Sequence, residues 1–369
     1  MEDAMKPVSG IETLDHLSTN KEELAVFPKP ARNEIQHAMA TVIHSANIGA
    51  SSPLGILRHR LAVKFYPELR RCVKVKDDLM TEKLAAARKK FNRHNASEDD
   101  VKSATDLFVA REVSQAARQN RTPVYDSPEV RDELFTFLLA GWETTATVLK
   151  WAVKHLTAQQ EVQQKLRQCL RAFYKDAAAR GEVPSHKELV HSQPAYLNAV
   201  LEEILRHATV AAATIRTTTQ DVEVLGYHIP KGTDVWLPNR GKGMLAPSFP
   251  IEESKRSKTS QFVKPGERWT AEWDDDTLDQ FLPERWLRPN EHGGMDFDAQ
   301  SGPMQTFGAG LRGCFGQKLA MMSLRMLVTY IVWSFELLPV PEEFAGFEAE
   351  DRLTWEPQQV HLRLRRCDV

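Results

Sequence analysis

The sequence predicts a mainly α-helical protein with a small antiparallel β part. Apolar residues recur at three- and four-residue spacing over 31–119, and this is the spacing of a helix face. Further helical patterns fill most of 128–206 and 314–335. Over 215–237 the pattern changes to short alternating runs broken by Gly226, which is typical of hairpins. We therefore expect helices to form the body of the fold and short hairpins to be attached to it.

The elements follow one another with recognisable start and stop signals. Ser127-Pro128 is an N-cap followed by a first-turn proline, and it opens a long helix. The second predicted helix ends at Gly181, a residue suited to a left-handed C-terminal position. In chain order we predict an irregular segment over 1–30, helices over 31–119, 128–155, 158–180 and 194–206 with a continuation to 213, strands over 215–219, 222–225, 227–229 and 235–237, a polar loop insertion over 239–276, a helix over 314–335 and a strand over 360–364.

Composition excludes several classes of protein. The chain has 369 residues, a net charge of -2 and 27% charged residues, so it lacks the basic surplus of a nucleic-acid-binding protein. Its four cysteines are scattered without C-x-x-C spacing, which fits a reducing intracellular compartment and not a zinc site of paired thiolates. No apolar run reaches the roughly 20 residues of a spanning helix. We expect an intracellular protein with no nucleic-acid partner and no membrane association through this chain itself.

A glycine-rich decapeptide carries the strongest functional signal. It reads Phe307-Gly308-Ala309-Gly310-Leu311-Arg312-Gly313-Cys314-Phe315-Gly316 and is followed by a helical pattern. Glycines allow positive φ and a close approach of the backbone to a bulky group. If Cys314 lies at the amino-terminal end of the helix, the helix dipole favours its thiolate. A thiolate needs an electrophile, and a metal centre is the natural candidate.

The same segment also contains a dinucleotide-binding pattern. Residues 308–313 read G-x-G-x-x-G, and Glu336 follows about 20 residues later, as that fingerprint requires. The preceding residues 303–306 make a poor buried parallel strand, and little chain remains after Glu336 to build a sheet. We therefore disfavour nucleotide binding.

Two other patterns place polar residues in helices. Glu143 and Thr144 follow Gly141 in the apolar centre of the long predicted helix. They are either locally satisfied polar groups in a kinked helix or proton-handling groups where a ligand approaches. Glu203 and Arg206 stand three residues apart and share a helix face, which is usually a surface ion pair. Arg285, in a segment rich in proline and aromatic residues, could join that pair.

Taken together and in this order, these motifs resemble those of the cytochrome P-450 family of haem-thiolate monooxygenases. The resemblance rests on the acid–threonine helix centre, Glu-x-x-Arg, Pro-Glu-Arg-Trp and Phe-x-x-Gly-x-Arg-x-Cys-x-Gly. It covers about 31–369 and is similar in style to filamentous-fungal members. It implies one partial cytochrome P-450 domain over 1–369, with haem b as the cofactor.

The resemblance also implies a role for each motif residue. Cys314 would be the axial ligand of the haem iron. Arg312 and Arg216 would neutralise haem propionates by charge-assisted hydrogen bonds. Gly141 would leave room for dioxygen, and Glu143 and Thr144 would deliver protons. The remaining implied site residues are Phe307, Gly308 and Gly316 around the sulfur, and Glu203, Arg206 and Arg285 as a buried charge triad.

The implied activity is insertion of one oxygen atom from O2 into a small apolar organic substrate. NADPH would supply the electrons through a flavoprotein reductase, and the fungal style indicates secondary metabolism. Family members usually reside at the endoplasmic reticulum membrane. They carry a longer amino-terminal part with an anchor, first strands, early helices and a Trp-x-x-x-Arg motif, which we expect this chain to lack. The alternative is therefore a truncated, non-catalytic haem-binding remnant.

Overall fold

The computed structural model describes residues 33–50, 54–91, 98–256, 273–302, 304, 306–351 and 354–367. Two compact units divide the chain, and their described parts are 33–143 and 144–367. The predicted irregular segment 1–30 lies outside the described residues. Helices and short antiparallel hairpins account for the regular structure of both units, so the predicted fold class is confirmed.

The first unit is helical throughout its described part. Its helices are α1 (Glu34–Ala50), α2 (Gly55–Phe65), α3 (Pro67–Phe91), α4 (Ala104–Arg118) and the first half of α5 (Pro128–Ala158). Ser103 caps α4, because its side chain accepts a hydrogen bond from the Asp106 N–H at 3.1 Å. The core of this unit joins α3, α4 and α5 through Met80, Leu84, Ala87, Phe91, Val109 and Leu134.

Helix α5 differs from its prediction in burial. The centre of this helix, residues 135–139, is apolar on every side, which predicts burial all round. Phe137 is nevertheless 48% exposed. Leu134 and Leu138 pack into the core of the first unit, whereas Phe137 is not part of that core. An apolar side chain is suited to burial, but the sequence does not show whether another element packs against it.

The second unit is built around a buried helix. It contains the rest of α5 together with α6 (Gln160–Phe173), α7 (Lys175–Arg180), α8 (His186–His191), α9 (Ala195–Ala208), α10 (Gln317–Ser334) and the short α11 (Glu342–Ala345). Most side chains of α9 are buried, and Leu197, Leu201 and Ile204 are completely so. Helices α6 and α10 both pack against α9. The core of this unit therefore surrounds the helix that carries Glu203 and Arg206.

Two helix boundaries differ from the prediction. The expected helix 158–180 is divided at Tyr174, whose hydroxyl donates to the Ser192 carbonyl at 2.8 Å. The expected continuation of α9 to residue 213 is wrong. Thr209 takes a left-handed conformation (φ 35°, ψ 61°), and its hydroxyl donates to the Arg206 carbonyl at 2.8 Å, so the helix ends there.

The described strands form two-stranded antiparallel sheets. They are β1 (Ala213–Thr217) with β4 (Asp234–Pro238), β2 (Val222–Val224) with β3 (Tyr227–Ile229), β5 (Leu287–Pro289) with β6 (Met295–Phe297), β7 (Phe335–Leu338) with β10 (Arg363–Arg366), and β8 (Ala349–Asp351) with β9 (Trp355–Pro357). In the first pair, Arg216 lies opposite Val235. The predicted closing strand 360–364 begins three residues later than expected, at Arg363.

The described part of the polar insertion does more than connect elements. Residues 239–256 include a turn in which the Met244 carbonyl accepts a hydrogen bond from Arg206 at 2.5 Å. Arg240 donates to the His207 carbonyl at 3.2 Å and stacks over the Trp355 ring at 4.8 Å. The start of the insertion is therefore attached to the carboxyl end of α9. In the described part of the chain, every helix is too short or too polar to cross a bilayer.

Candidate functional site

The Cys314 loop is a compact turn that precedes α10. The Cys314 N–H donates to the Phe307 carbonyl at 2.7 Å, and residues Gly310–Arg312 form a single 3-10 turn. Gly308 and Gly310 have φ values of 67° and 61°, which favour glycine over any residue with a side chain. Helix α10 begins at Gln317, three residues after the cysteine. The backbone is therefore folded around the sulfur position by local hydrogen bonds.

The exposed surface of this loop is suited to a flat, apolar cofactor whose metal binds a thiolate ligand. Cys314 is exposed, and the neighbouring Leu311 and Phe315 are 105% and 91% exposed. A Cβ atom at Gly316 would lie 3.9 Å from the Cys314 sulfur, so that residue borders the ligand atom. Thiolate sulfur is a ligand of haem iron, and the exposed apolar side chains match the face of a porphyrin. The residues present therefore fit haem.

The two candidate propionate ligands are exposed cations. Arg312 lies in the 3-10 turn of the loop, two residues before the cysteine. Arg216 lies in β1, and one of its Nη atoms donates to the Ile215 carbonyl at 2.8 Å. Neither guanidinium forms an ion pair with any residue that the structure describes. Both retain donors for an acidic ligand, and no described contact joins either of them to Cys314.

The acid–threonine pair lies on α5 where the two units divide. Glu143 is half-buried and Thr144 is exposed. The helix continues without interruption through Gly141. A Cβ atom at Gly141 would have no described heavy atom within 4 Å. The interpretation of this helix centre as a place that a ligand approaches stays a prediction.

The structure brings Glu203, Arg206 and Arg285 together in the second unit. Arg206 donates Nη2 to Glu203 Oε1 at 2.7 Å and Nε to Glu203 Oε2 at 2.9 Å, a bidentate pair. Arg285 donates Nε to Glu203 Oε1 at 3.2 Å. The Leu282 N–H donates to the same oxygen at 2.8 Å. One carboxylate therefore holds α9 to the segment that contains the Pro-Glu-Arg-Trp motif.

Each charge in this network is buried and compensated. Glu203 and Arg206 are 0% exposed, and Arg285 is 9% exposed. Burial acts to raise the pKa of Glu203, but hydrogen bonds from His207 and Arg206 lower it well below its ordinary value. The remaining donors of Arg206 reach the carbonyls of Leu278 and Gln280 at 2.6 and 2.8 Å. This pattern is that of a fully satisfied buried network and not of an acid–base catalyst.

Sequence reasoning missed two aromatic members of the network. Trp286 donates its indole N–H to Glu203 Oε2 at 2.9 Å and is completely buried. Trp273 lies beneath both guanidinium groups, with ring centres 5.4 Å from Arg206 and 5.5 Å from Arg285. The available signal for Trp286 was its position directly after Arg285 in the motif. No sequence signal marked Trp273.

A buried histidine beside this network was also missed. His155, near the end of α5, stacks on Phe281 at a ring distance of 4.9 Å and lies 5.1 Å from His207. Its Nε2 is buried without a hydrogen-bond partner. Burial, and after it the nearby His207, lowers the pKa of His155 to about 3. His155 is therefore neutral in the folded protein at physiological pH.

His155 is expected to lower the free energy of unfolding in mild acid. Because the folded pKa of about 3 is below the ordinary value of 6.5, the unfolded chain binds the extra proton and stability falls as pH decreases from 6.5. Replacing His155 with phenylalanine should therefore reduce the loss of unfolding free energy between pH 7 and pH 5 by about 2 kcal/mol. Urea unfolding of wild type and variant at the two pH values measures this difference.

The pH dependence of wild type alone does not isolate His155, because Glu202 changes the stability in the opposite direction over the same pH range. Burial raises the pKa of Glu202 to about 7, so its contribution to stability improves as pH decreases from 7. The matched control is His186→Phe, which changes an exposed histidine at the start of α8 and should leave the slope unaltered. Equal pH slopes for wild type and H155F would contradict the assignment of a neutral buried imidazole.

Comparison with known proteins agrees with the motifs. The family model described as Cytochrome P-450 matches residues 23–241 and 271–361. The chain is 35% identical over 357 residues to cytochrome P-450 monooxygenase TRI13 of Fusarium sporotrichioides, covering 93% of this chain and 60% of that protein. It is 37% identical over 330 residues to cytochrome P-450 monooxygenase GME11363 of Pestalotiopsis microspora, covering 89% of this chain and 57% of that protein.

A third relative is shorter than these two. The Hps1-dma1 cluster cytochrome P-450 monooxygenase cyp3.1 of Dothistroma septosporum is 34% identical over 304 residues, covering 78% of this chain and 96% of that protein. The chain thus spans about 60% of the length of the first two relatives and nearly all of the third.

Proposed function

We propose that this chain, which belongs to the cytochrome P-450 family, binds haem through Cys314 and acts as a monooxygenase on a small apolar organic substrate. The observation that carries the proposal is the exposed thiol of Cys314 in a glycine turn, between the exposed apolar side chains of Leu311 and Phe315. Haem held there would supply thiolate-ligated iron for O2 chemistry. NADPH would provide the electrons through a flavoprotein reductase.

The residues of this chain would divide the remaining tasks. Arg312 and Arg216 would hold the propionates, because each is an exposed guanidinium without a described carboxylate partner. Phe307, Gly308 and Gly316 would shape the turn around the sulfur. Thr144 and Glu143 would hold and deliver protons at the hydroxyl and carboxyl groups, since they occupy the polar position of a largely apolar helix centre.

The names of the relatives support a role in secondary metabolism. Three fungal proteins similar to this chain are described as monooxygenases, and one of them as part of a gene cluster. A terpenoid, polyketide or alkaloid intermediate would be a substrate of the required apolar class. Localisation at the endoplasmic reticulum, as is usual in the family, is part of this proposal.

A labelling experiment tests the proposed reaction. Full-length protein supplied with haem, a fungal cytochrome P-450 reductase and NADPH is incubated with a panel of apolar terpenoids and polyketides under isotopically labelled O2. We expect a product that contains one labelled oxygen atom, with the second atom recovered as water. Products that carry oxygen from water would contradict a monooxygenase. Haem binding without NADPH oxidation would instead favour the non-catalytic remnant.

Replacing Thr144 with alanine should uncouple NADPH oxidation from product formation. Removing the hydroxyl removes a proton donor, so reduced oxygen should leave the site as hydrogen peroxide. We expect the ratio of peroxide formed to NADPH consumed to rise several-fold, because proton transfer is slower without a positioned donor. The matched control is Thr136→Ala on the same helix, whose hydroxyl donates to the Asp132 carbonyl at 2.8 Å. An unchanged peroxide ratio in T144A would refute the proton-delivery role.

A further inference from the structure

We propose that His37, Glu68 and Cys72 form a Zn²⁺ site in the first unit, separate from the haem chemistry. The donor atoms are Nε2 of His37, a carboxylate oxygen of Glu68 and Sγ of Cys72, and all three lie within 4.8 Å of one another. Imidazole nitrogen, carboxylate oxygen and thiolate sulfur are the three ligand types that zinc uses in proteins. None of these residues belongs to the motifs assigned above.

Two packed helices hold the three side chains together. Glu68 and Cys72 are four residues apart on α3, so they project from the same helix face one turn apart. His37 lies on α1, which packs against α3. The contact is fixed by Ala38, Val42 and Cys72, which form one buried cluster. The positions of the donors are therefore set by the packing of the helices.

The distances are close to those that zinc imposes. Nε2 of His37 is 2.9 Å from Oε1 of Glu68, and Sγ of Cys72 is 3.8 Å from the same oxygen. Tetrahedral ligands with zinc bonds of about 2.0–2.3 Å are roughly 3.3–3.8 Å apart. Binding requires the His37–Glu68 distance to lengthen by about half an ångström. It also requires His37 Nε2 and Cys72 Sγ, which lie within 4.8 Å of each other, to take up the same spacing.

The exposure of the three side chains and their combined charge allow zinc to bind a fourth ligand. The Cys72 side chain is 1% exposed, whereas His37 and Glu68 are 36% and 54% exposed at the side chain. Zinc would enter from the solvent side, Cys72 would release its proton to water, and a water molecule would complete the tetrahedron. The thiolate and the carboxylate together balance the 2+ charge. Arg71, 3.6 Å from Glu68 Oε1 and largely exposed, would have to turn toward solvent.

The ligand chemistry selects among cations. A thiolate with an imidazole favours zinc over Mg²⁺ and Ca²⁺, which prefer oxygen ligands. The ordinary alternative for the same residues is a His–Glu ion pair above a packed thiol, and it predicts no metal affinity.

Zinc titration of the full chain distinguishes a zinc site from a His–Glu ion pair that binds no metal. The probe is ZnCl2 added in competition with a chromophoric chelator, measured for wild type and for Cys314→Ala, which removes the exposed thiol. We expect one zinc ion per chain in both. His37→Ala and Cys72→Ala should each weaken binding at least about tenfold, equivalent to about 1.4 kcal/mol. His59→Ala on α2 and Cys169→Ala on α6 are the matched controls and should bind as wild type does.

X-ray absorption at the zinc edge provides the second measurement. We expect one sulfur at about 2.3 Å and nitrogen or oxygen ligands at about 2.0–2.1 Å. His37→Ala changes a partly exposed side chain, so it decides the question even if Cys72→Ala fails to fold. Absence of bound zinc in wild type, or unchanged affinity in H37A, would overturn the site and leave the ion pair.

Discussion

Replacing Cys314 with alanine is expected to abolish both thiolate ligation of haem and turnover. The sulfur is the only atom of the loop that is able to bond to iron, and the nearest residues, Leu311 and Phe315, contribute only apolar surface. The reduced variant should give no red-shifted Soret band with carbon monoxide and no product in the labelling experiment. Absorption spectra and product analysis of wild type and C314A measure the two effects.

The control for this variant is another cysteine. Cys169 lies half-buried on α6, where burial raises the pKa of its thiol, so it is a poor thiolate. Cys169→Ala should retain the wild-type spectrum and activity. If C314A bound haem with a wild-type carbon monoxide spectrum, another residue would have to be the iron ligand.

Replacing Glu203 with glutamine should strongly destabilise the second unit. The change leaves the guanidinium groups of Arg206 and Arg285 in a buried position without their shared counter-charge. Removing one partner from a buried ion pair typically lowers the free energy of unfolding by about 3–5 kcal/mol. Glutamine also replaces one of the two acceptor oxygens with an NH2 group, so some of the buried donors that now bond to Glu203 lose their acceptor. Urea unfolding at pH 7, followed by tryptophan fluorescence, measures the change.

The same substitution at an exposed site provides the comparison. Glu284 pairs with Lys165 at 2.6 Å, and both side chains are partly exposed, at 41% and 55%. Exposed ion pairs contribute only about 0–1 kcal/mol. Glu284→Gln should therefore change the unfolding free energy by less than about 1 kcal/mol. A similarly small change in E203Q would show that the network does not depend on its carboxylate.

Lowering the pH should also remove the stability that the Glu203 carboxylate contributes. Because the folded pKa of Glu203 is below its ordinary value of 4.5, its contribution to stability is present above pH 4.5 and is lost as pH falls further. The effect of His155 begins at pH 6.5, whereas that of Glu203 begins only below pH 4.5, so the interval from pH 6.5 to 4.5 reports His155 without a contribution from Glu203.

The sequence predicted element types better than the contacts between them. The start of α5 at Pro128 and the stop at Gly181 followed from local chemistry that a single residue carries. The end of α9 did not, because a left-handed threonine is rare and Thr209 carries no local signal for it. Helical periodicity likewise marked Phe137 as apolar but could not indicate that it lies exposed.

In the candidate site, too, the sequence predicted relations between nearby residues better than contacts between distant ones. The spacing of Glu203 and Arg206 placed them on one helix face, and their hydrogen bonds follow from it. Arg285 lies 82 residues from Glu203 along the chain, so spacing could not place it, and only the composition of its segment and the family resemblance suggested that it joins the pair. The stacking of His155 on Phe281 joins residues that are even farther apart in sequence, and no motif pointed to it.

The carbon monoxide spectrum of the reduced wild-type chain tests the central claim most directly. Full-length protein is expressed with haem supplied, reduced, and exposed to carbon monoxide. We expect a red-shifted Soret band, the signature of thiolate-ligated haem iron, because the Cys314 thiol is exposed and would be able to bind the iron. A Soret band at the position typical of histidine-ligated haem, or a spectrum without bound haem, would contradict the assignment of Cys314 as the iron ligand.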